Sequence, residues 1–239
     1  MSLENKRVLA VIPARGGSKG IPRKNLARLG GRTLIAHAAG VVTALEWLDF
    51  VVLSTDDDEI AEEGRRQGLQ VPFMRPPELA ADRSTAVDMW RHAWLASEAH
   101  CDTRFDISVL LEPTSPMRRP DDVTRTVRAL QESGCSSAVT VSRTPAHFTP
   151  ERTLCVNDKG HLMPYLKDGL KYTSRQMIPD YFYRNGLTYA VTREGLVDRG
   201  RIIQEDTLAV PVERPVVNID EPLDLAWAEF LLQQSQGAQ

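Results

Sequence analysis

Cysteine is scarce in this chain of 239 residues: there are three, Cys101, Cys135 and Cys155, and no two of them are close in sequence. An odd number of widely spaced cysteines excludes a disulfide framework and a CxxC motif. Free thiols indicate a reducing compartment, so we expect a cytoplasmic protein. No apolar run approaches the roughly 20 residues that span a bilayer. The first residues, MSLENKR, lack the apolar core of a signal peptide, so we expect no membrane association.

An excess of either charge is also absent. Lysine and arginine number 29, aspartate and glutamate number 32, and the formal net charge is -3 at pH 7. Because proteins that bind nucleic acid through its phosphates usually carry a positive excess, we expect no nucleic-acid partner. Apolar residues make up 42% of the chain, which is enough to build a proper core.

Short apolar segments alternate with amphipathic segments along most of the chain. The apolar segments predict buried strands at 7–14, 50–55, 107–112, 137–142, 185–192 and 208–212, with a short additional strand at 71–73. The amphipathic segments predict helices at 34–48, 56–69, 84–99, 120–133 and from Pro222 onward. This alternation indicates an α/β fold, a Rossmann-like and mostly parallel sheet with helices on both faces.

The alternation stops between residues 143 and 184, where prolines, aromatic residues and charges are mixed without a period. We therefore predict that residues 1–142 and 185–239 form the α/β domain. Residues 143–184 are predicted to form an insertion, either a β-rich flap or a dimerisation arm.

The first predicted strand runs into a loop rich in glycine and positive charge, in the stretch VIPARGGSKGIPRKN of residues 11–25. Ligands of open parallel sheets bind beyond the carboxyl ends of the strands. Glycines let backbone N–H groups approach an anion, and cations neutralise phosphate oxygens. The loop therefore predicts a phosphate-binding site. It matches neither GxGxxG nor GxxxxGK[ST], which disfavours a NAD-binding oxidoreductase and a P-loop protein.

Six segments in sequence order resemble one family. They are PARGGSKGIPRKN, VLSTDDDEIAEEGRRQG, VPFMRPPELAAD, LLEPTSPMR, RNG and NIDEPLDLAWAE. Together they resemble the CMP-sialic acid synthetases (acylneuraminate cytidylyltransferases) and bacterial relatives that act on other nonulosonic acids, over residues 7–230. The resemblance implies a nucleotide-diphospho-sugar transferase fold. It also implies that the anomeric hydroxyl of a nine-carbon or eight-carbon 2-keto-3-deoxy sugar acid attacks the α-phosphorus of CTP, with Mg²⁺, and releases pyrophosphate.

The resemblance assigns a nucleotide-binding set. Arg15 and Lys19 match residues that hold the triphosphate, and they are predicted to be catalytic together with Asp220. The same loop contributes Gly16, Gly17, Ser18, Lys24 and Asn25, the last of these near the base and ribose. Arg75 matches an arginine that contacts cytosine. Thr85 is a candidate for a further base contact, because Ala86 stands where the family has a contacting serine.

The resemblance also implies sugar contacts for Glu112 and Ser115, and a contact to the sugar carboxylate or to a phosphate for Arg175. A second family arginine would fall at Tyr183, so Arg184 beside it is the candidate for that sugar contact. The family has glutamine at the position of Glu112, so the carboxylate here is compatible with a different sugar substrate. Glu112 has a second interpretation, in which it caps the backbone of Thr114 or Ser115.

Asn218 and Asp220 are two residues apart on an extended segment and therefore point the same way. Mg²⁺ takes few protein oxygens beside phosphates and water, so these two side chains are the predicted metal ligands. The family has aspartate at both positions. Asp220 also precedes Pro222 and is a candidate cap of the last helix.

In the family the segment around residues 174–186 belongs to an arm that reaches the partner's active site, so the resemblance implies a homodimer. Two other functions stay open. The chain can be a nucleotidyltransferase that uses another NTP and a sugar phosphate, or a nucleotide-binding homologue without catalysis.

Overall fold

The computed structural model describes residues 6–237. Residues 1–5 and 238–239 lie outside the described residues. Both stretches belong to the predicted α/β domain, and residues 1–5 also make up most of MSLENKR, the stretch predicted to lack the apolar core of a signal peptide.

Ten strands lie within the described part of the chain. They are β1 (Val8–Pro13), β2 (Arg28–Leu29), β3 (Arg32–Thr33), β4 (Phe50–Ser54), β5 (Ile107–Leu110), β6 (Ser137–Arg143), β7 (Leu154–Val156), β8 (Leu162–Pro164), β9 (Phe182–Thr192) and β10 (Leu208–Pro211).

The same described residues contain five α-helices: α1 (Leu34–Thr43), α2 (Asp58–Arg66), α3 (Ala86–Cys101), α4 (Pro120–Ser133) and α5 (Pro222–Gly237). Local sequence explains their ends. Thr33, Asp57 and Thr85 cap the first three helices with side-chain oxygens, and Pro120 starts α4. No helix within residues 6–237 has the length and apolar character needed to cross a membrane.

Six of the strands form one sheet, in the order β10-β6-β9-β5-β1-β4. Five strands run parallel to one another, and β9 pairs antiparallel with β5 on one side and β6 on the other. The prediction of a mostly parallel Rossmann-like sheet is therefore confirmed.

Both faces of the sheet are covered, as predicted. On one face Val8 and Ile12 of β1 pack with buried residues of α1, α2 and α4. On the other face Leu9 and Val11 pack with α3, including Trp90. The alternation along β1 follows the period of two that a strand imposes.

Two predicted elements are wrong or too long. Residues 71–73 are not a strand, because Pro72 has no N–H to donate, and only Gln70 forms a bridge, with Val52. The first helix ends at Thr43 instead of residue 48. The turns that follow bring Asp49 to the start of β1, where its carboxylate accepts a hydrogen bond from the Val8 N–H (2.6 Å).

The inserted segment contains the β7–β8 hairpin and several short 3-10 turns. At its two ends, Arg143 continues β6 and Phe182 begins β9, so the residues at both boundaries belong to the main sheet. The division into two domains stays a prediction.

Candidate active site

A cleft of about 620 Å³ opens at the carboxyl ends of β1 and β5. This is the edge where ligands of open α/β sheets bind. The structure brings nine of the predicted site residues together in its lining. They are Arg15, Ser18, Lys19, Lys24, Asn25, Arg75, Glu112, Asn218 and Asp220.

The basic loop after β1 is held by the acidic start of α2. The Gly16 N–H donates to the Asp56 carboxylate (3.1 Å), and the Arg23 guanidinium pairs with Asp57 (2.8 Å). Asp57 also caps α2 through the N–H of Ile60 (3.0 Å). The capping residue of one helix therefore fixes the loop that lines the cleft.

Asn25 and Gly20 shape the loop from within. The Asn25 side chain is buried and donates to the Arg15 carbonyl (3.0 Å). A Cβ at Gly20 would overlap the backbone carbonyl oxygen of Asp220. Glycine is therefore required where the basic loop crosses the Asp220 segment.

Arg15 and Lys19 share one carboxylate in the loop that precedes α3. Asp82 lies 2.6 Å from the Lys19 ammonium and 3.3 Å from the Arg15 guanidinium. These contacts hold the Asp82 pKa below its usual value, chiefly through the hydrogen bond from Lys19. Sequence reasoning missed Asp82, because no local pattern marks a carboxylate that pairs with cations more than 60 residues away.

Arg75 is buried at the cleft and has no carboxylate partner among the described residues. Its guanidinium donates to the hydroxyl (3.1 Å) and carbonyl (2.5 Å) of Ser54, at the end of β4. Desolvation lowers its pKa to about 10, so the side chain stays protonated at neutral pH. It adds positive potential to the end of the cleft that carries the basic loop.

Glu112 lies at the opposite end, just beyond β5. Burial raises the pKa of its carboxyl; Arg118 opposes this shift, and the nearby Asp220 carboxylate adds to it. The Ser115 N–H bonds to the backbone carbonyl of Glu112 (3.1 Å) and not to its side chain. Among the described residues the Thr114 N–H makes no hydrogen bond to the Glu112 carboxylate either. The interpretation of Glu112 as a local cap is therefore wrong, and Glu112 lines the cleft.

Replacing Glu112 by glutamine is expected to stabilise the protein more at pH 8 than at pH 4. The folded-state pKa lies above the ordinary value of 4.5, so the unfolded chain loses this proton first as the pH rises. The free energy of unfolding of the wild type therefore falls as the pH rises above 4.5, and Glu112→Gln removes this pH-dependent loss. Chemical denaturation of both proteins at the two pH values measures it. Equal gains at both pH values would contradict the assigned burial.

Asn218 and Asp220 line the cleft beside the basic loop. The Asp220 carboxylate lies 2.8 Å from the Lys24 ammonium, and its side chain is 71% exposed. The backbone N–H groups of Asp220 and Glu221 donate to Asp224 (2.9 Å each), so Asp224 organises the start of α5. The Asp220 carboxylate is left to face Lys24 and the cleft.

A metal at this place would have few protein ligands. Within residues 6–237 no group of three or more histidine, cysteine, aspartate or glutamate side chains is arranged to hold a metal ion. Asp220 and Asn218 offer hard oxygen donors on one wall, beside cations suited to phosphates. That donor set fits Mg²⁺, which commonly takes one or two protein ligands together with phosphates and water.

The structure does not bring the remaining predicted residues into the lining. Gly16 and Gly17 lie in the basic loop but do not line the cleft. Ser115 is fully buried, and its hydroxyl has no hydrogen-bond partner among the described residues. The Thr85 hydroxyl caps α3, where it accepts from the N–H of Asp88 (3.1 Å).

Two predicted arginines lie elsewhere. Arg175 lies on the inserted segment, in a small groove with Arg143 and Asp180. Arg184 is exposed on β9, where its backbone is in register with Val141 of the neighbouring strand β6. Its positive charge slightly lowers the pKa of Glu112. Their sugar-binding roles stay predictions.

Other cleft residues went unnoticed in the sequence. Met89 of α3, Thr114 and Glu221 also line it. The backbone carbonyl of Thr114 accepts a hydrogen bond from the Ile219 N–H (2.7 Å), which joins the loop after Glu112 to the segment that carries Asn218 and Asp220.

Comparisons with known proteins give one consistent family. The cytidylyltransferase family model matches residues 9–201. A CMP-N,N'-diacetyllegionaminic acid synthase from Legionella pneumophila is 33% identical and aligns over 97% of this chain and 99% of that protein. A synthase with the same name from Campylobacter jejuni is 31% identical over 94% of each chain.

A solved structure agrees with the fold. A CMP:2-keto-3-deoxy-manno-octonic acid synthetase complexed with CTP superposes with a TM-score of 0.69, over 96% of this chain and 99% of that one. The two sequences are 20% identical, so this likeness supports the architecture alone.

Proposed function

Since the chain belongs to the cytidylyltransferase family, we propose that its cleft joins CMP from CTP to the anomeric hydroxyl of a sialic acid-like 2-keto-3-deoxy sugar acid. The observation that carries this proposal is the division of the cleft into two ends. Arg15, Lys19 and Arg75 lie at one end, where Arg75 contacts the end of β4 and Asp82 joins Arg15 to Lys19. Glu112 lies at the other end, beyond β5, with Asn218 beside it at Gly186.

The cationic end suits the triphosphate. The side chains of Arg15 and Lys19 are 37% and 75% exposed, so a nucleotide reaches them without rearranging the core. Positioned cations stabilise the charge that develops on the transferring and leaving phosphates. Asn25 and Arg75 remain the proposed contacts to the base and ribose.

The reaction is a displacement at the α-phosphorus. The anomeric oxygen forms a bond to this phosphorus while the bond to the bridging oxygen of the β-phosphate breaks. Pyrophosphate leaves with the bonding electrons, and the hydroxyl proton passes to a base or water. Asp220, acting through water, is the proposed acceptor of that proton because its carboxylate is exposed at the cleft.

Mg²⁺ is the proposed cofactor, with Asp220 and Asn218 as its protein ligands. The ion would neutralise charge on the triphosphate oxygens when bound. Lys24, 2.8 Å from Asp220, holds that carboxylate beside the basic loop.

A nine-carbon nonulosonic acid is the proposed acceptor. Both relatives described above carry the name of a synthase for CMP-N,N'-diacetyllegionaminic acid, so this sugar acid is the first to test. The Glu112 carboxylate accepts hydrogen bonds from hydroxyl or amide N–H groups, and such sugars carry both.

A homodimer is the proposed assembly. The segment between β6 and β9 exposes several large apolar side chains, among them Phe148, Val156, Leu162, Tyr165 and Leu170. Exposed apolar surface of this kind marks an interaction site. Sedimentation equilibrium of the full chain tests it, and a monomer mass at micromolar concentration would overturn it.

The cytoplasm is the proposed location. Cys101, Cys135 and Cys155 are free in the structure, which suits a reducing compartment. Fractionation of cells that express the chain tests this assignment.

Asp82→Asn is expected to bind CTP more tightly than the wild type, by about two- to fivefold, the scale of an exposed ion pair. The carboxylate competes with the triphosphate for Arg15 and Lys19. Calorimetric titration with CTP at low salt measures the change. Weaker binding by the variant would mean instead that Asp82 orients the two cations for the nucleotide.

The proposed reaction is tested by the mass of its product. The protein is incubated with Mg²⁺, each of the four NTPs, and one acceptor from a panel. The panel holds N-acetylneuraminic, diacetyllegionaminic, pseudaminic, deaminated nonulosonic and octulosonic acids, together with a set of sugar 1-phosphates. A CMP adduct of a nine-carbon acid is expected. A product formed only from another NTP and a sugar phosphate would replace the proposal, and nucleotide binding without any product would indicate a non-catalytic homologue.

A further inference from the structure

One arginine near the cleft is enclosed by protein and lies outside the lining. Arg118 ends the LLEPTSPMR segment and is 5% exposed. Its guanidinium donates to three backbone carbonyls, those of Glu112 (2.8 Å), Gly186 (3.3 Å) and Leu187. Within residues 6–237 it forms no salt bridge. Its planar fork of donors is therefore used to join two backbone segments that are about 70 residues apart in sequence.

The second of these segments is a bulge in β9. The register between β6 and β9 shifts between Val139 and Val141, opposite the bulge, and Gly186 has a positive φ of 76°. Asn185 holds the bulge from the β6 side, where its amide accepts from Thr140 (2.7 Å). Arg118 holds it from the other side. Such bulges redirect side chains beside active sites.

Three polar side chains at the Glu112 end of the cleft lie close to the bulge. A Cβ at Gly186 would lie 2.6 Å from the Ser115 hydroxyl, 3.3 Å from the Asn218 amide nitrogen and 3.4 Å from a Glu112 carboxylate oxygen. The Ser115 hydroxyl is fully buried and has no hydrogen-bond partner among the described residues. The bulge at Gly186 is thus the back wall against which Glu112 and Asn218 are set.

The cationic end is built without Arg118. Asn25 fixes the Arg15 carbonyl, Ser54 holds Arg75, and Asp82 bridges Arg15 and Lys19. None of these contacts involves the Glu112 segment or the bulge. A change at Arg118 is therefore expected to disturb one end of the cleft and spare the other.

We propose that Arg118 is a positioning residue for the Glu112 end of the cleft. It binds the Glu112 segment to the Gly186 bulge and so holds Glu112 where it contacts the sugar acid. This inference rests on the proposed function, because it assigns Glu112 to the acceptor. This connection works through backbone carbonyls, so it needs the directed donors of a guanidinium and not merely a positive charge.

The test compares Arg118→Lys with the wild type in three measurements: the Kd for CTP by calorimetry, the kinetic constants for the sugar acid, and the melting temperature. We expect the KM for the sugar acid to rise by about tenfold or more, the scale of directed hydrogen bonds lost to buried groups. The Kd for CTP, measured without Mg²⁺ so that Asn218 has no part in it, is expected to stay within about twofold, because the cationic end has its own supports.

The matched control is Arg193→Lys. Arg193 is another mostly buried arginine, bonded through its guanidinium to Glu98 (3.0 Å), and it lies away from the cleft lining. Arg193→Lys is expected to lower the melting temperature without changing the Kd for CTP or the KM for the sugar acid. If Arg118→Lys fails to fold, Gly186→Ala serves instead, since its Cβ meets Ser115 directly, and the same selective rise in KM is expected.

Two results would overturn the inference. One is an equal loss of affinity for CTP and for the sugar acid. The other is a lower melting temperature with both substrate constants unchanged, which would make Arg118 a purely structural residue. Absence of CTP binding by the wild type would instead count against the proposed function itself.

Discussion

Gly20→Ala is expected to lower kcat/KM for CTP by about 100-fold, the scale set by small misplacements of catalytic groups. A Cβ at this position would overlap the Asp220 carbonyl oxygen, which is backbone and cannot turn aside. The basic loop would then have to move away from the Asp220 segment, and Lys19 and Lys24 would move with it. Steady-state kinetics and calorimetric CTP binding measure the loss.

Gly40→Ala is the control for adding a methyl group. Gly40 lies within α1, away from the cleft, and its added Cβ would meet only the flexible end of Arg32 (2.9 Å). Activity is expected to be unchanged, because alanine is the better helix former and no substrate group is near. Wild-type kinetics in Gly20→Ala would show that the loop tolerates displacement and is not the triphosphate site.

Asp220→Asn is expected to lower kcat by about 100- to 1000-fold, the range seen when one electrostatic group of a transition state is removed. The substitution keeps the shape of the side chain and removes its charge. Because 71% of this side chain is exposed, the folded state is expected to lose little stability. Turnover measured over a range of Mg²⁺ concentrations should also show a higher half-saturating concentration, since a proposed ligand is weakened.

Glu221→Gln is the control that distinguishes a specific role of Asp220 from the general negative electrostatic potential of the cleft. Both carboxylates line the cleft, but Glu221 makes no contact with Lys24. A loss of less than about tenfold is expected for Glu221→Gln, the smaller effect of a charge without a positioned partner. Near-normal turnover in Asp220→Asn would remove Asp220 from the mechanism, and equal losses in both variants would point to potential alone.

The elements with local signals were predicted well. Pro120 with its two following aspartates gave α4 its correct bounds, Pro120–Ser133. The apolar run before the basic loop gave β1, and the loop's position at the end of that strand located the cleft. These features depend on residues close in sequence, which is where propensity and capping act.

The parts that failed depend on contacts between distant segments. Nothing near the RNG motif reveals that β9 runs antiparallel between two strands of a parallel sheet, or that Arg118 fixes its bulge. Thr85 illustrates the reverse case. Its hydroxyl caps α3, a local interaction that accounts for a threonine here, while its role as a candidate base contact stays a prediction.

Arg175 could not be located at a site from one chain. It lies on the segment between β6 and β9 and does not line the cleft described above. A second copy that brings this segment to the cleft remains part of the dimer proposal, and the sequence of one chain carries no signal for that geometry.

The most direct test of the account is pyrophosphate release by the purified protein in the presence of Mg²⁺, CTP and N,N'-diacetyllegionaminic acid. We expect release that requires both substrates, one pyrophosphate for each CMP-sugar formed, and none when CTP is replaced by UTP, ATP or GTP. Tight binding of CTP with no release from this or any other nonulosonic acid would contradict it.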